Sequence, residues 1–318
     1  MKKFLAIMLA LALLLAVGCE KPAGNEKTTV RIGVLNGPTG MGAAKLMADN
    51  EAGTTANQYA FELFGSPTDL PGLLIKGELD MAAVPTNMAA LVYQKSGKNV
   101  KLLALNTLGV LYLLEKGDTV HSIKDLEGKT VATAGQASTP EYAMKFLLEK
   151  NGTQADLRFY GSHAEVVTQG VAGKEDLLLL PEPQVSVLLA KDAGFRVALD
   201  INTAWDEAVA GSSVFSMGCL VVRKAFAEEH PEAVKAFLTE YAASVAYVNE
   251  HPQEGAALIA QYKIIENKTI VEAAIPNCHM VCVTGEEMKT KTAPYLEILY
   301  GFDPTAVGGQ LPDEEFYY

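Results

Sequence analysis

The chain has 318 residues, of which 49% are hydrophobic and 20% are charged, and its formal net charge is −12 at neutral pH. These values are typical of a folded globular protein and exclude a collagen, a coiled coil or a disordered tail. The length favours two lobes or one large α/β unit. Because an acidic protein repels phosphate backbones, nucleic acid is not an expected partner.

The N-terminal segment differs from the rest of the chain. Lys2 and Lys3 precede an apolar run at 4–17 that is short for a membrane-spanning helix, which predicts an export signal over residues 1–18. The sequence Ala16-Val17-Gly18-Cys19 resembles a bacterial lipobox, in which the cysteine is lipidated and becomes the mature N-terminus; an uncleaved anchor is the alternative. Removal of the signal deletes two lysines and no acids, so the net charge of −12 becomes −14.

Strand and helix patterns alternate after a polar tether at residues 19–29. Each short apolar run is followed by a turn and then by a helical pattern, which predicts an α/β fold with parallel strand pairing and right-handed crossovers. The predicted strands are 30–35, 59–64, 80–84 and 100–105 in a first series, and 130–134, 157–160, 177–180 and 195–199 in a second.

Two further apolar runs, 109–115 and 218–223, flank the second series and are expected to pass between two lobes. The predicted first lobe is therefore discontinuous, made of residues 30–110 and 219–318, and the second lobe comprises residues 111–218. Each lobe is expected to be an open sheet flanked by helices. Three helices are predicted at 224–230, 231–249 and 252–262, and we expect them to pack on the first lobe.

Small polar residues follow several of the predicted strands. In open α/β sheets, ligands bind beyond the carboxyl ends of the strands, where helix N-termini offer backbone donors and a partial positive potential. Simple N-capping is an alternative explanation for Thr86, Asn87 and Thr139. The candidate ligand-binding residues are Asn36, Gly37, Pro38, Thr39, Thr86, Asn87, Asn106, Thr107, Gln136, Ser138, Thr139 and Glu182.

Glu182 is the most informative acid because it lies between two prolines after an apolar strand. We expect it to project into the cleft, where it could accept a hydrogen bond from an amine or a protonated heterocycle; the alternatives are that it faces solvent or caps the next helix. Trp205, the only tryptophan, is either a core residue or a stacking platform at the cleft. The same alternatives hold for Tyr160 and Phe215.

The motifs of common enzymes are missing from the sequence. The glycine-rich loop 37–42 lacks the order of a P-loop or a dinucleotide-binding fingerprint, and Gly211-Ser212-Ser213 has no evident base partner. The five histidines are scattered and expected at the surface. We expect buried thiols at Cys219, Cys278 and Cys282, with only a weak indication of metal binding at His279. The sequence therefore predicts no catalysis and no cofactor.

Several stretches, in their order and spacing, resemble the solute-binding proteins of ABC importers. They are the lipobox, the loop after the first strand, and the segments 77–85 (GELDMAAVP), 122–129 (SIKDLEGK) and 230–237 (HPEAVKAF). Within that family the whole mature chain is similar to the nitrate/sulfonate/taurine and thiamine-pyrimidine-precursor group, which has a type II periplasmic-binding fold.

This resemblance implies a monomeric receptor, lipid-anchored on the extracytoplasmic side of the cell membrane. Its two lobes would close by hinge motion on one small molecule and deliver it to an ABC permease and ATPase. The candidate residues given above match the cleft positions of the family. The sulfonate branch clamps its ligand with an arginine, but Arg31, Arg158, Arg196 and Arg223 lie in or beside strands, which argues against an oxyanion ligand. A ligand-sensing receptor and an exported enzyme on the same fold are the alternatives.

Overall fold

The computed structural model describes residues 27–136 and 138–318. The predicted export signal, Cys19 and most of the predicted tether lie outside the described residues. Within these ranges no helix is both long enough and apolar enough to cross a bilayer.

The first sheet has six strands in the order β11-β4-β10-β3-β1-β2. Strand β1 pairs in parallel with β2 and β3, whereas β10 lies antiparallel between β3 and β4. The strands are β1 (Thr29–Leu35), β2 (Gln58–Phe64), β3 (Met81–Val84), β4 (Val100–Leu108), β10 (Ser216–Arg223) and β11 (Met280–Val283).

The second sheet has five strands in the order β7-β6-β8-β5-β9. Strand β6 pairs in parallel with β7 and β8, and β5 lies antiparallel between β8 and β9. The strands are β5 (Leu111–Glu115), β6 (Thr130–Ala134), β7 (Asp156–Tyr160), β8 (Leu177–Pro181) and β9 (Arg196–Asp200). The molecule therefore has two lobes, each a mixed sheet flanked by helices, as the sequence predicted.

Parallel pairing was wrong for two of the predicted strands, β5 and β10, and the reason is their place in the chain. The chain enters the second sheet through β5 directly after β4, and it returns to the first sheet through β10. Each of these strands arrives from the other lobe instead of from a helix on its own sheet, so the right-handed crossover rule for parallel neighbours does not apply to it. The predicted runs 109–115 and 218–223 thus became the antiparallel strands β5 and β10, and β11 is a further antiparallel strand of the first sheet, paired with β4.

Thirteen α-helices lie within the described residues. Several begin or end at residue types that favour helix ends: the Ser162, Asp200 and Asn267 side chains accept backbone N–H bonds at helix starts, and Gly77 and Gly152 end helices in the left-handed conformation. The helices are α1 (Pro38–Met41), α2 (Ala44–Glu51), α3 (Leu70–Lys76), α4 (Thr86–Lys95), α5 (Thr139–Asn151), α6 (His163–Val171), α7 (Gln184–Lys191), α8 (Ile201–Val209), α9 (Lys224–Glu229), α10 (Pro231–Glu250), α11 (Pro252–Gln261), α12 (Lys268–Ala274) and α13 (Gly285–Phe302).

The helices after the second crossing return to the first lobe, as predicted. Helix α10 packs on α2, where the Ser244 hydroxyl accepts a hydrogen bond from Leu46 N and donates to Gly42 O. Strand β11 and helices α12 and α13 follow, and the sequence analysis did not predict them. These elements place the loop around Asn277 and the turn around Ala306 beside the second lobe.

One buried hydrophobic cluster joins the two lobes. It combines residues of β4 with residues of β5 and β8 and includes Trp205, which is fully buried. The Trp205 ring lies 4.5 Å from Phe146, 5.2 Å from Phe215 and 5.8 Å from Tyr295, measured between ring centroids. Trp205 and Phe215 are therefore core residues, and the stacking-platform alternative is wrong for both. Tyr160 is half-buried and donates its hydroxyl to Glu175.

Candidate functional site

Seven of the predicted residues meet around one cavity of about 470 Å³, which we call the interlobe cavity. Its wall contains residues that follow β1 and β3 of the first sheet and residues that follow β6, β7 and β8 of the second. This is the place where ligands bind in open α/β sheets. The predicted residues in the wall are Pro38, Thr39, Asn87, Thr107, Ser138, Thr139 and Glu182.

The first lobe supplies a wall that is held together by its own hydrogen bonds. Asn87, in the first turn of α4, donates its side-chain amide to Ala306 O at 3.2 Å, which ties this helix to the C-terminal turn. Thr107, near the end of β4, donates to Asn106 Oδ1 at 3.1 Å. Met88 adds an apolar side chain to the same wall.

The second lobe supplies the start of α5 and the end of β8. The Ser138 hydroxyl donates to Gly135 O at 2.5 Å, and Gly135 has a φ of +82°, a conformation that favours glycine. Neither Ser138 before α5 nor Pro85 before α4 caps its helix with a side chain. The backbone N–H groups of Thr86, Asn87 and Thr139 in these first turns therefore have no N-cap side chain as acceptor and can donate to a ligand.

Glu182 lies at the junction of the two lobes and is 2% exposed. Its carboxylate accepts from Ser186 N and Ser186 Oγ, both at 3.1 Å, and from Asn277 Nδ2 of the first lobe at 3.3 Å. Burial raises the pKa of Glu182 above its ordinary value, and these hydrogen bonds oppose the rise. Glu182 caps α7 and lines the cavity at once, so two of the predicted roles coincide.

His163 is a wall residue that the sequence analysis expected at the surface. It begins α6, and its Nδ1 is buried with no hydrogen-bond partner among the described residues. Burial lowers the pKa of His163, so the imidazole is neutral at neutral pH and adds no positive charge to the cavity. His279 is not a surface residue either, because its half-buried ring donates from Nδ1 to Gly109 O at 2.5 Å.

Five predicted site residues are not in the cavity wall. Asn36 and Gln136 are exposed and Gly37 is half-buried. Thr86 is buried, and its hydroxyl lies 2.7 Å from Ser216 Oγ, which joins α4 to β10. Asn106 is buried and donates to Thr39 O at 2.9 Å and to the Tyr241 hydroxyl at 3.2 Å. Thr86 and Asn106 therefore position the wall from behind.

The sequence analysis also missed apolar residues of the wall. Met88 is on a helix and Met217 is at the start of a returning strand, and neither position differs in pattern from an ordinary core residue. Val110 lies at the crossing between the two sheets, a position that became informative only once the topology was known. Pro140 lies beside the predicted Thr139 in the first turn of α5 and is also in the wall.

No arginine or lysine is among the residues that line the cavity. The four arginines of the chain are each paired with a buried carboxylate elsewhere: Arg31 and Arg223 with Asp80, Arg158 with Glu175, and Arg196 with Glu115. The prediction that arginines do not enter the cleft agrees with these positions.

Three larger hollows lie among the described residues: one of about 590 Å³ beside α8 and α13, one of about 600 Å³ between α8 and the loop at His121, and one of about 530 Å³ beside α5. Helix and turn residues supply most of each wall, and none of these walls contains strand residues of both sheets. The interlobe cavity is therefore the better candidate, since strand ends of both sheets supply its wall.

The three cysteines of the described region are free thiols. Cys219 and Cys278 are buried, and burial raises the pKa of the half-buried Cys282 to about 11. These residues behave as small apolar side chains, as expected. Among residues 27–136 and 138–318, no group of three or more His, Cys, Asp or Glu side chains could hold a metal ion.

Comparison with known proteins decides the family. Residues 62–255 match a family model described as NMT1/THI5 like. The chain belongs to the NMT1/THI5-like family. It is also 25% identical over 289 residues to a putative aliphatic sulfonates-binding protein of Bacillus subtilis, a match that covers 87% of this chain and 83% of that protein. The predicted family resemblance is thus confirmed.

Solved structures show the same fold. A protein of Parabacteroides distasonis described as an ABC transporter superimposes with a TM-score of 0.79 at 24% identity, covering 92% of this chain and 99% of that chain. The periplasmic aliphatic sulphonate-binding protein of Escherichia coli gives a TM-score of 0.70 at 16% identity and covers 91% of this chain and 92% of that chain. The two-lobed periplasmic-binding architecture is therefore confirmed.

Proposed function

We propose that this protein captures a small molecule in the interlobe cavity and delivers it to an ABC importer. The observation that carries the proposal is the composition of the wall, in which residues at strand ends of both sheets meet around one cavity of about 470 Å³. That volume is in the range of small-molecule sites, which are mostly preformed and combine apolar surface with a few polar groups. Membership of a family of solute-binding proteins supports it.

The links between the lobes support a hinge mechanism. The chain crosses through residues 109–110 and again through the segment 201–215 that contains α8. The lobes also touch through the buried cluster around Trp205 and through individual hydrogen bonds, such as Tyr142 to Asp303 at 2.8 Å and Tyr112 to Asn277 O at 2.8 Å. Such bonds can break and re-form as the lobes rotate, and ligand bound between them would favour the closed state.

The predicted export signal and the sequence that resembles a lipobox support a location for the protein. We infer that residues 1–18 are removed, that Cys19 carries the lipid and that residues 19–29 connect the anchor to the lobes. The protein would then act as a monomer on the extracytoplasmic face of the cell membrane, with lobes at 30–110 plus 219–318 and at 111–218. Its partners would be the permease and the ATPase of the importer.

A binding role is favoured over catalysis by the chemistry of the wall. Ser138 is a hydroxyl in the wall, and it donates to Gly135 O instead of to a base. Glu182 accepts three hydrogen bonds from neutral groups and is held in place by them. The wall therefore offers groups that orient a ligand, and we assign no nucleophile to it.

The proposal is tested with a matched pair of cavity-filling variants. Ala306 lines the interlobe cavity and Ala208 lines the hollow beside His121; both are half-buried and pack against the same core cluster. The dialysable fraction of yeast extract is the ligand source, and thermal unfolding is the measurement, because a ligand that binds the folded state raises the melting temperature. We expect a rise for the wild type and for Ala208→Trp, and no rise for Ala306→Trp.

The melting temperatures without extract serve as the control for folding of each variant. If the dialysable fraction of the extract does not raise the melting temperature of the wild type, solute capture is contradicted. An Ala306→Trp variant that still responds fully would place the ligand elsewhere, and loss of the response in Ala208→Trp alone would assign it to the other hollow.

A further inference from the structure

Buried carboxylates in this protein follow a rule that one of them breaks. Five acidic side chains are buried among the described residues, and four of them have a cationic partner within 3 Å. The pairs are Asp80 with Arg31 and Arg223, Glu115 with Arg196, Glu141 with Lys145, and Glu175 with Arg158. The fifth is Glu182, for which no lysine, arginine or histidine of the described residues forms an ion pair.

The hydrogen bonds of Glu182 do not replace the missing charge. All three donors are neutral groups, namely the Ser186 amide, the Ser186 hydroxyl and the Asn277 amide. Removal of an ionised carboxylate from water is unfavourable unless hydrogen bonds and an opposite charge compensate it. Neutral donors satisfy most of its lone pairs, which number about four, but they leave the net charge in place.

The other wall residues do not supply a cation either. His163 lines the cavity, but burial lowers its pKa and keeps the ring neutral. Lysine and arginine are not among the lining residues, and all four arginines of the chain are paired elsewhere. The remaining surface is largely apolar, including Met88 and Met217, so the field of Glu182 acts in a medium that screens it weakly.

We propose that the ligand of the interlobe cavity carries a cationic nitrogen group, such as an ammonium, an amidinium or a protonated heterocycle, that donates to the Glu182 carboxylate. This inference rests on the proposed function and specifies its ligand class. An apolar or planar body would contact Met88 and Met217. An acceptor on the far side of the ligand could receive hydrogen bonds from the uncapped first turns of α4 and α5. A sulfonate without a cationic nitrogen would be repelled by Glu182.

This ligand class differs from what the names of the relatives state. The Bacillus subtilis relative is described as binding aliphatic sulfonates, and the Escherichia coli structure as an aliphatic sulphonate-binding protein. Specificity is a difference between affinities, and one unpaired charge in the wall is sufficient to exclude an anion that a related cavity accepts. Shared fold and different ligand charge are therefore compatible.

Three probes with the same ring separate charge from shape: benzamidine is a cation, benzamide is neutral and benzenesulfonate is an anion. Titration calorimetry near neutral pH gives their affinities for the wild type, for Glu182→Gln and for Glu175→Gln. Glu175 is the matched control, since it is a buried carboxylate of the same lobe that already has a cation in Arg158 and is not in the cavity wall.

We expect the wild type to bind benzamidine at least about tenfold more tightly than benzenesulfonate, with benzamide between them. Glu182→Gln should weaken the binding of benzamidine by about tenfold or more, and Glu175→Gln should leave the affinity for benzamidine unchanged. Equal or tighter binding of benzenesulfonate by the wild type would overturn the proposal, and so would the absence of benzamidine binding or an unchanged benzamidine affinity in Glu182→Gln.

The wild-type comparison needs no variant, so it stays decisive if Glu182→Gln does not fold. Failure of this inference is also distinct from failure of the proposed function. Benzenesulfonate binding that Ala306→Trp abolishes would preserve solute capture in the cavity and refute only the cationic ligand. A wild-type melting temperature that the dialysable fraction of yeast extract does not raise would refute solute capture itself.

Discussion

Two buried carboxylates, Asp80 and Glu182, show how the same chemical group serves the fold at one place and the ligand at another. Both are 2% exposed; Asp80 directly precedes strand β3, and Glu182 directly follows strand β8. Asp80 receives hydrogen bonds from Arg31 N, Nε and Nη2 at 3.0, 2.8 and 2.6 Å and from Arg223 Nη2 at 2.9 Å. Glu182 receives three bonds from neutral donors.

The two carboxylates differ in whether the protein supplies a cationic side chain as a partner. At Asp80, arginines from β1 and β10 neutralise the charge and join three neighbouring strands of the first sheet. At Glu182 the protein supplies hydrogen bonds that orient the carboxylate but no cationic partner, and the residue lines a cavity. A complete set of partners indicates a structural role, whereas a missing counter-ion beside a cavity indicates a place for a ligand.

The largest effect is expected for the replacement of Asp80, the carboxylate with a structural role. Asp80→Ala removes the acceptor of four hydrogen bonds and leaves two guanidinium groups without their carboxylate, so we expect the free energy of unfolding to fall by about 3 kcal/mol. Urea denaturation measures it. The control is Asp49→Ala, which breaks the partly exposed pair with Lys45 and should cost less than about 1 kcal/mol. A loss for Asp80→Ala no larger than for the control would contradict the structural role.

The second prediction uses pH to separate the two carboxylates. Burial alone would raise the pKa of Asp80, but hydrogen bonds from Arg31 and Arg223 outweigh it and hold the pKa below its ordinary value of 3.8. The stability that Asp80 contributes is therefore present above pH 3.8 and is lost as the pH falls through the depressed pKa. The advantage of wild type over Asp80→Asn should shrink towards acid.

The contribution of Glu182 to stability should change with pH in the opposite direction. Because burial raises its pKa above 4.5, its ionisation opposes folding: full stability is present below pH 4.5 and is lost as the pH rises through the raised pKa. Glu182→Gln should therefore gain stability relative to wild type as the pH rises, measured by urea unfolding without ligand between about pH 4 and pH 8. The neighbouring Tyr112 and Cys278 have raised pKa values through burial and stay neutral there. A stability difference that does not change with pH would contradict an ionised, unpaired Glu182.

The smallest expected effect concerns a residue behind the wall. Thr86→Val removes the hydroxyl that lies 2.7 Å from Ser216 Oγ but keeps the shape of the side chain. We expect a loss of about 1 kcal/mol in the free energy of unfolding, the scale of one buried hydrogen bond. Ligand affinity should change by less than about tenfold, since Thr86 is not in the wall. Abolished binding with unchanged stability would instead make Thr86 a direct ligand contact.

Local sequence patterns predicted the strands and the region of the site because both depend on neighbours in the chain. Apolar runs bounded by Gly, Pro and Asn gave ten strands close to their observed positions, and polar residues after those strands gave seven members of the cavity wall. The Pro181-Glu182-Pro183 sequence was also sufficient to identify the acid that faces the cavity.

The rest depends on contacts between distant segments, which no local pattern encodes. His163 enters the wall only because β7 lies beside β6, and Asn277 reaches Glu182 only because the C-terminal helices return to the first lobe. Thr86 and Gln136 are polar residues that follow predicted strands, as several wall residues do, yet one points to β10 and the other is exposed. Ion pairing is likewise tertiary, so the contrast between Asp80 and Glu182 could be recognised only in the folded structure.

The most direct test of this account is the ratio of benzamidine affinity to benzenesulfonate affinity for the wild-type protein, measured by calorimetry near neutral pH. An interlobe cavity in which Glu182 awaits a cation predicts that benzamidine binds at least about tenfold more tightly. A ratio of one or below would contradict it, because the cavity would then not distinguish a cation from an anion or would prefer the anion.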